Sequence, residues 1–331
     1  MTKELQKTLV ATGVIDACEV VEAESVVEGV TCVTTTVRTA SGWVWIEREY
    51  GVENSGRALA ERLELCQRAL APDPGIAVLP RVAPDGSLVY PGLPSGQLLS
   101  DLILAGGVDE GVLSARVREL GTWAARLHRR GVRQARRRWR HLPPRPWLVE
   151  QVQTLCDRAS GRMALDIELE RVQELFLLDH GGLRDELGAS CAAFDRPSSG
   201  STVVHGELTP GYVICGSRAD GVRVIGFHRA SIGPPEYDIG CFLGELAELG
   251  RAEGPGYRLA PALGRVLIDA YCEASGFAAA DLLAAAAPFA ALKVVAHLVR
   301  YVRAFGFDRS LVSAQLRLAE DLITEGSARW V

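Results

Sequence analysis

The sequence predicts an α+β protein in two parts, a small antiparallel sheet followed by a larger, mainly helical region. Three observations carry this. From Cys18 to Tyr50, β-branched residues alternate with polar ones, and turns fall at Glu28-Gly29 and Ser41-Gly42, the pattern of an antiparallel meander. Beyond residue 100 the spacing of apolar residues is mostly helical. The length of 331 residues is enough for two hydrophobic cores. The expected division is residues 1–90 and 91–331.

Taken in order, residues 1–16 read as a short leading helix, and strands are expected within 18–22, 29–37 and 43–48. Asn54 to Leu70 reads as a helix with Ala58, Leu59, Leu63, Cys66 and Leu70 on one face. Strands at Ile76–Val82 and Ser87–Tyr90 flank the turn Pro84-Asp85-Gly86. Leu113 to Arg130 is a periodic helix with Leu127-His128 in its last turn. The Arg-, Pro- and Trp-rich segment 131–150 reads as an irregular insertion. Helices follow at 147–158 and 164–188, and Pro197–Ser201 is a flexible approach to the next strand. The last four helices are expected at 236–250, 258–275, 279–305 and 309–327.

Composition narrows the function. A net charge of −5 argues against a general nucleic-acid binder, which needs a basic field. Lysine occurs only at Lys3, Lys7 and Lys293, a bias towards arginine that fits GC-rich, actinobacterial coding. The eight cysteines form no CxxC and no Cys/His cluster, so they read as reduced thiols that fill core space. The N-terminus lacks the apolar run of a leader. The longest apolar stretch, Leu282–Leu292, is too short to span a bilayer and contains Pro288. A cytoplasmic protein without a membrane partner is expected.

The most informative segments are Val203–Cys215 and Val224–Asp238. A phosphotransfer site needs a carboxylate beside the attacking hydroxyl, oxygen ligands for magnesium and a cation on the nucleotide phosphates. Here His205-Gly206-Glu207 supplies one carboxylate, while Tyr212 and Gly226 stand at later positions of the same pattern. Together these segments resemble the aminoglycoside phosphotransferase and choline kinase family, whose motif runs roughly HGDxHxxNxL, a short hairpin, then IDFExAxxGDPxxDL.

The resemblance implies a bilobal, protein-kinase-like fold. It places His205 and Glu207 in the catalytic loop, with Glu207 in place of the catalytic Asp. Tyr212 replaces a metal-binding Asn and Gly226 a metal-binding Asp, while Asp238 matches a residue that braces the loop. Phe227, Arg229-Ala230, Gly233, Pro235 and Tyr237 keep the scaffold. On the third strand Glu47 falls where the phosphate-binding Lys is expected. Arg48 could replace that Lys only if the strand bulged there, because neighbours on a strand face opposite sides. Glu61, or Glu64, is the candidate for the helix Glu that holds this Lys. Leu88–Gly96 resembles the hinge, so Val89, Tyr90 and Leu93 would line the nucleotide pocket. Glu47 and Arg48 also read as ordinary strand charges, and Glu207 as a hydrogen-bonded loop residue.

Three functions remain open on the sequence. One is a pseudokinase that binds or scaffolds a protein or peptide partner in a bacterial biosynthetic pathway. Another is an active phosphotransferase using ATP and magnesium, with Glu207 as base and a small-molecule or peptide Ser/Thr hydroxyl as acceptor; similar proteins accompany lyases that dehydrate ribosomally made peptides, an analogy that points to the peptide acceptor. The added methylene of Glu207 works against this, because a shift of about 1 Å can cost about a hundredfold in rate. The third is a protein that sequesters a small molecule. No protein metal site is expected, and ATP and magnesium belong only to the active reading. The basic run Arg129–Arg140 is either a solvated face or a site for an acidic peptide, a nucleotide phosphate or a phosphorylated ligand. Trp139 and Trp147 read as packing residues.

Overall fold

A computed structural model of the chain describes residues 3–16, 22–28, 32–40, 42–49, 63–64, 66, 75–95, 97–138, 145–157, 167–195, 200–216, 221–251, 256–326 and 330. They form two compact units, Met1–Asp101 with Gly211–His228, and Leu102–Pro210 with Arg229–Val331. The segment Gly211–His228, which carries Tyr212 and Gly226, therefore groups with the first unit and not with the rest of 91–331.

In the first unit, helix Lys3–Ala11 precedes a five-stranded antiparallel sheet of β1 (Glu22–Glu28), β2 (Cys32–Thr39), β3 (Gly42–Glu49), β4 (Arg81–Val82) and β5 (Leu88–Leu93), in the order β1-β2-β3-β5-β4. Alternation sorts the side chains onto two faces. Val37, Val44, Ile46 and Val89 pack with Leu9 and Ile15 on one face. Leu88, Tyr90 and Leu93 pack with Trp43 and Trp45 on the other. The β3–β5 register shifts between Trp43 and Trp45, opposite Pro91-Gly92. Most of the helix expected at 54–70 lies outside the described residues; Leu63, Glu64 and Cys66 are helical, and Leu63 is buried in the second cluster. Of the strand expected at Ile76–Val82, only Arg81–Val82 is a regular strand, although Ala77 bridges Val224. Val213–Cys215 and Val222–Val224 form an antiparallel hairpin, and Val78 N–H donates to Val224 O at 2.8 Å, which ties this hairpin to the unit.

The second unit is helical, with Glu110–Arg138, Trp147–Cys156, Ile167–Asp179, Gly181–Ala192, Glu236–Leu249, Gly256–Ser275, Ala279–Phe305 and Arg309–Thr324. A two-stranded antiparallel ladder of Thr202–Val204 with Ser231–Gly233 joins them. Two expectations are corrected. Residues 131–138 continue the helix that begins at Glu110, because arginine is a good helix former. The helix expected over 164–188 is two helices, separated at His180 ahead of Gly181-Gly182. Residues 139–144 and 196–199, including Trp139, Arg140 and most of the Pro197–Ser201 segment, lie outside the described residues.

Helix Ala279–Phe305 is the core of this unit. Its 27 residues have a peak mean hydropathy of 1.9, so by length and composition it could cross a membrane, contrary to the expectation from Leu282–Leu292 alone. It continues through Pro288, and 72% of that apolar window is buried inside the protein, as in the core helix of a globular domain. It packs closely on Glu236–Leu249, where a Cβ at Gly240 would come within 2.5 Å of Ala286 O and of Phe289 Cβ. Gly240→Ala is therefore expected to destabilise the protein by about 1–3 kcal/mol through overpacking, read as a lower urea midpoint with an unchanged slope.

Candidate functional site

In the second unit the Thr202–Val204 ladder delivers the loop His205-Gly206-Glu207. Thr202 Oγ1 anchors its start by donating to His128 O at 2.7 Å. Gly206 has φ +90°, and a Cβ there would collide with Arg229 O, so backbone conformation and close approach both require glycine. The Asp238 carboxylate is fully buried in the first turn of Glu236–Leu249. It accepts from His205 N–H at 2.8 Å and Gly206 N–H at 3.3 Å. It also meets His128 Nε2 at 3.0 Å, while His128 Nδ1 lies 2.9 Å from Tyr271 OH. Tyr237 OH donates to Gly206 O at 2.9 Å. Asp238 and His128 thus hold the backbone of the loop. His205 is itself buried, its Nδ1 facing Glu207 N–H at 3.3 Å.

Glu207 is buried at 2% exposure, and both of its carboxylate oxygens are engaged. Arg300 donates from Nη1 to Oε1 at 2.7 Å and from Nη2 to Oε2 at 3.0 Å. Arg229 Nη1 donates to Oε2 as well. Burial alone would push this carboxyl's pKa up, but the charges of Arg300 and Arg229 outweigh it and hold the group well below the usual carboxylate range. Both guanidinium groups lie over the indole of Trp147, Arg300 at 4.4 Å and Arg229 at 5.0 Å from the ring centroid. Trp147, read from the sequence as a packing residue, is 37% exposed and forms a plate under two cations.

One turn and more away along Ala279–Phe305, buried Lys293 lies 3.3 Å from Glu245 and 3.9 Å from Glu248. Burial lowers the Lys293 pKa, but Glu245 and Glu248 prevail and raise it above the ordinary value. His297 Nδ1 meets Glu248 Oε1 at 2.9 Å.

The first unit holds the remaining expected positions. Glu47 is buried on the Trp43–Trp45 face of β3. Arg48 is exposed and follows the alternation to the other face. No bulge falls at this point, since Glu47 pairs in register with Thr34 and Leu88, so Arg48 does not replace the missing Lys. Tyr90 and Leu93 sit together in the aromatic cluster with Ile214 and Ile225, and Tyr90 OH lies 3.2 Å from His228 Nδ1. Val89 does not join them; it is buried in the opposite-face cluster, as strand alternation requires. Tyr212 packs against the Tyr90 cluster. Gly226 has φ +94°. Glu61 lies outside the described residues, and Glu64 is exposed.

The profile of the phosphotransferase enzyme family matches residues 53–289, well over half of the chain. The chain belongs to this family. Solved structures of three phosphotransferase-like enzymes are similar along almost their full length. They are a macrolide 2'-phosphotransferase from Brachybacterium faecium (20% identity, 98% of each chain, TM-score 0.54), a choline kinase from Cryptosporidium parvum (12%, 98% of this chain and 95% of that one, 0.59) and a spectinomycin phosphotransferase solved with ADP and spectinomycin (13%, 98% of each chain, 0.56). At such identities the likeness shows the fold, and the α+β, protein-kinase-like expectation holds. No curated protein matches the sequence.

Against the chemistry of a phosphotransferase, the residues present do not fit magnesium. Magnesium needs hard oxygen ligands in near-octahedral array. Gly226 offers no side chain, and its left-handed backbone would strain any carboxylate residue placed there. Tyr212 offers a neutral phenol within an aromatic cluster, and His228 faces Tyr90. Among the described residues no group of three or more His, Cys, Asp or Glu could hold a metal ion. Arg300 was missed by sequence reasoning. The signal that could have found it is Lys293, His297 and Arg300 recurring at i, i+4 and i+7 in a helix whose middle is otherwise apolar from Leu282 to Val302 apart from Tyr301.

Proposed function

We propose that this chain is a non-catalytic member of the phosphotransferase family, a pseudokinase that acts by binding a protein or peptide partner. The observation that carries the reading is the pairing of Glu207 with Arg229 and Arg300. A general base must bring a free lone pair to the acceptor hydroxyl, whereas this carboxylate is engaged at both oxygens and is held weakly basic. The charge inversion at Glu47 and the lack of ligands at Tyr212 and Gly226 point the same way. The free cysteines, at seven described positions, suit a reducing cytoplasm. The reading as an active enzyme would need both arginines to release Glu207 and a metal to bind without carboxylates.

Calorimetric titration of the full chain with magnesium-ATP is expected to give no saturable heat, and incubation with Ser/Thr peptides or small alcohols no ATP consumption. Gly226→Asp alone is expected to leave both results unchanged, because the backbone there disfavours the new side chain. Magnesium-dependent ATP turnover by the wild type that disappears in Glu207→Ala would overturn the proposal.

A further inference from the structure

Helix Ile167–Asp179 and the connection 305–309 lie side by side in the second unit. Phe307 N–H donates to Glu168 Oε2 at 3.0 Å, and the Arg171 guanidinium sits over the Phe307 ring, 5.2 Å from its centroid. Between them runs an open groove of about 450 Å³, lined by Arg171, Glu174, Leu175, Leu178, Phe307 and Arg309. The same two elements carry the three most exposed large apolar side chains among the described residues, Leu178 at 72%, Ile167 at 71% and Phe305 at 66%. Single apolar residues on a surface need no explanation, but their concentration on adjoining elements marks an interaction surface.

The outer face of Ile167–Asp179 has an order of its own. Leu169, Val172 and Phe176 are buried, which leaves Ile167, Arg171, Glu174 and Leu178 as an exposed stripe. They stand at i, i+4, i+7 and i+11, within an arc of about 60° at about 100° per residue. The gaps run four, three, four, so the stripe reads alike in both directions, apolar at each end with opposite charges between. The charges are open to a new partner. Among the described residues Glu174 has no ion pair, and Arg171, its side chain 57% exposed, has only Glu168 at 3.5 Å in its own helix.

We propose that this face joins two copies of the chain in a two-fold dimer, with helix Ile167–Asp179 packed antiparallel on its counterpart. An axis between Val172 and Gln173 sets Ile167 against Leu178 of the second copy and Arg171 against Glu174 of the second copy. Each contact then occurs twice, as an isologous interface requires. Two apolar contacts enclose two ion pairs of opposite sense. The flanking acids Glu168 and Glu170 fall opposite Leu177 and Leu175 in this register, and Asp179 lies about 110° round the helix from the stripe. A second copy supplies the four residues in reverse order by construction, which is why it is the occupant that fits. One helix pair with its flanks is a small interface, so the dimer is expected to dissociate at about micromolar concentrations. The inference goes beyond the binding role proposed above and does not depend on it, since no residue of the Glu207 network takes part.

Sedimentation velocity of the full chain without nucleotide, from about 1 µM to about 100 µM, is expected to show a monomer–dimer equilibrium. Leu178→Glu changes an exposed position that enters the interface twice, and is expected to weaken the dimer by about tenfold or more. Arg171→Glu and Glu174→Arg each set like charges against each other across the axis, and each is expected to weaken it as well. The two together exchange the charges, re-form both ion pairs and are expected to restore most of the lost affinity. Glutamate and arginine are both good helix formers, so these variants keep the helix, and circular dichroism checks that they do. Should Leu178→Glu fold poorly, the charge exchange decides. A monomer throughout the range, a dimer indifferent to Leu178→Glu or an exchange variant no better than the single reversals would overturn the proposal. Open-ended association in place of a dimer would overturn the two-fold axis. ATP turnover is measured separately and neither supports nor removes this interface.

Discussion

Replacing Asp238 by alanine is expected to lower the unfolding free energy by about 3–5 kcal/mol, the cost of breaking a buried, hydrogen-bonded charge cluster by removing one member. The carboxylate is fully buried and accepts from His205 N–H and Gly206 N–H, with His128 Nε2 as a third partner. Alanine would leave two backbone donors without an acceptor in a site closed to water, and His128 would keep only Tyr271. Asp238→Asn tests the role of charge, since it keeps a side-chain oxygen but removes the negative charge; an intermediate loss is expected. Urea denaturation followed by circular dichroism checks both variants. A loss below about 1 kcal/mol for the alanine variant would mean that water or a rearranged loop replaces the carboxylate.

The second large effect concerns Glu207. Glu207→Gln is expected to destabilise the protein by about 3–5 kcal/mol, because it leaves two nearly buried guanidinium groups without their shared counter-charge. A catalytic carboxylate would behave differently, since its removal commonly relieves strain and stabilises the fold at the expense of activity. The effect depends on pH in a defined direction. The folded pKa of Glu207 is depressed, so its contribution is fully present above the unfolded value, about 4.3 for a free glutamate, and is lost as pH falls through the folded value. The stability gap between wild type and Glu207→Gln should therefore be widest at neutral pH and narrow on acidification below about pH 4.3. A gap that is constant or grows in acid would count against the ion pair. Removing Arg300 as well should cost less than the sum of the separate changes, because the two residues share one interaction.

Much of the fold is legible in the sequence because period and punctuation are strong there. The alternation of Val33, Thr35 and Val37 with their neighbours announces a strand, and the bounds of helix Ala279–Phe305 follow from its apolar pattern. The misread stretches are those in which composition misleads. The arginines of 131–138 look like a break in the helix although they favour its continuation, and the break at His180 lies hidden in a longer run of helical spacing. The site was less legible. The substituted positions Glu47, Tyr212 and Gly226 can be read off a motif, but what Glu207 touches cannot. Arg300 lies 93 residues away on a different helix, and only tertiary packing brings its fork to the loop. The misplacement of Val89 was avoidable, because alternation already sends it away from Leu88 and Tyr90.

The assignment of Gly211–His228 to the first unit limits how the molecule can be cut. A fragment covering 102–331 would carry the Val213–Cys215 and Val222–Val224 hairpin without the backbone partners supplied by Ile76, Val78 and Gln97. Its unpaired edges and the side chains of Ile214 and Ile225 would meet solvent, a combination that promotes aggregation. A fragment covering 1–101 would conversely lose the part of its apolar cluster that these two isoleucines provide. Neither piece is a self-sufficient folding domain, so the two compact units are expected to be expressed, purified and inherited only together.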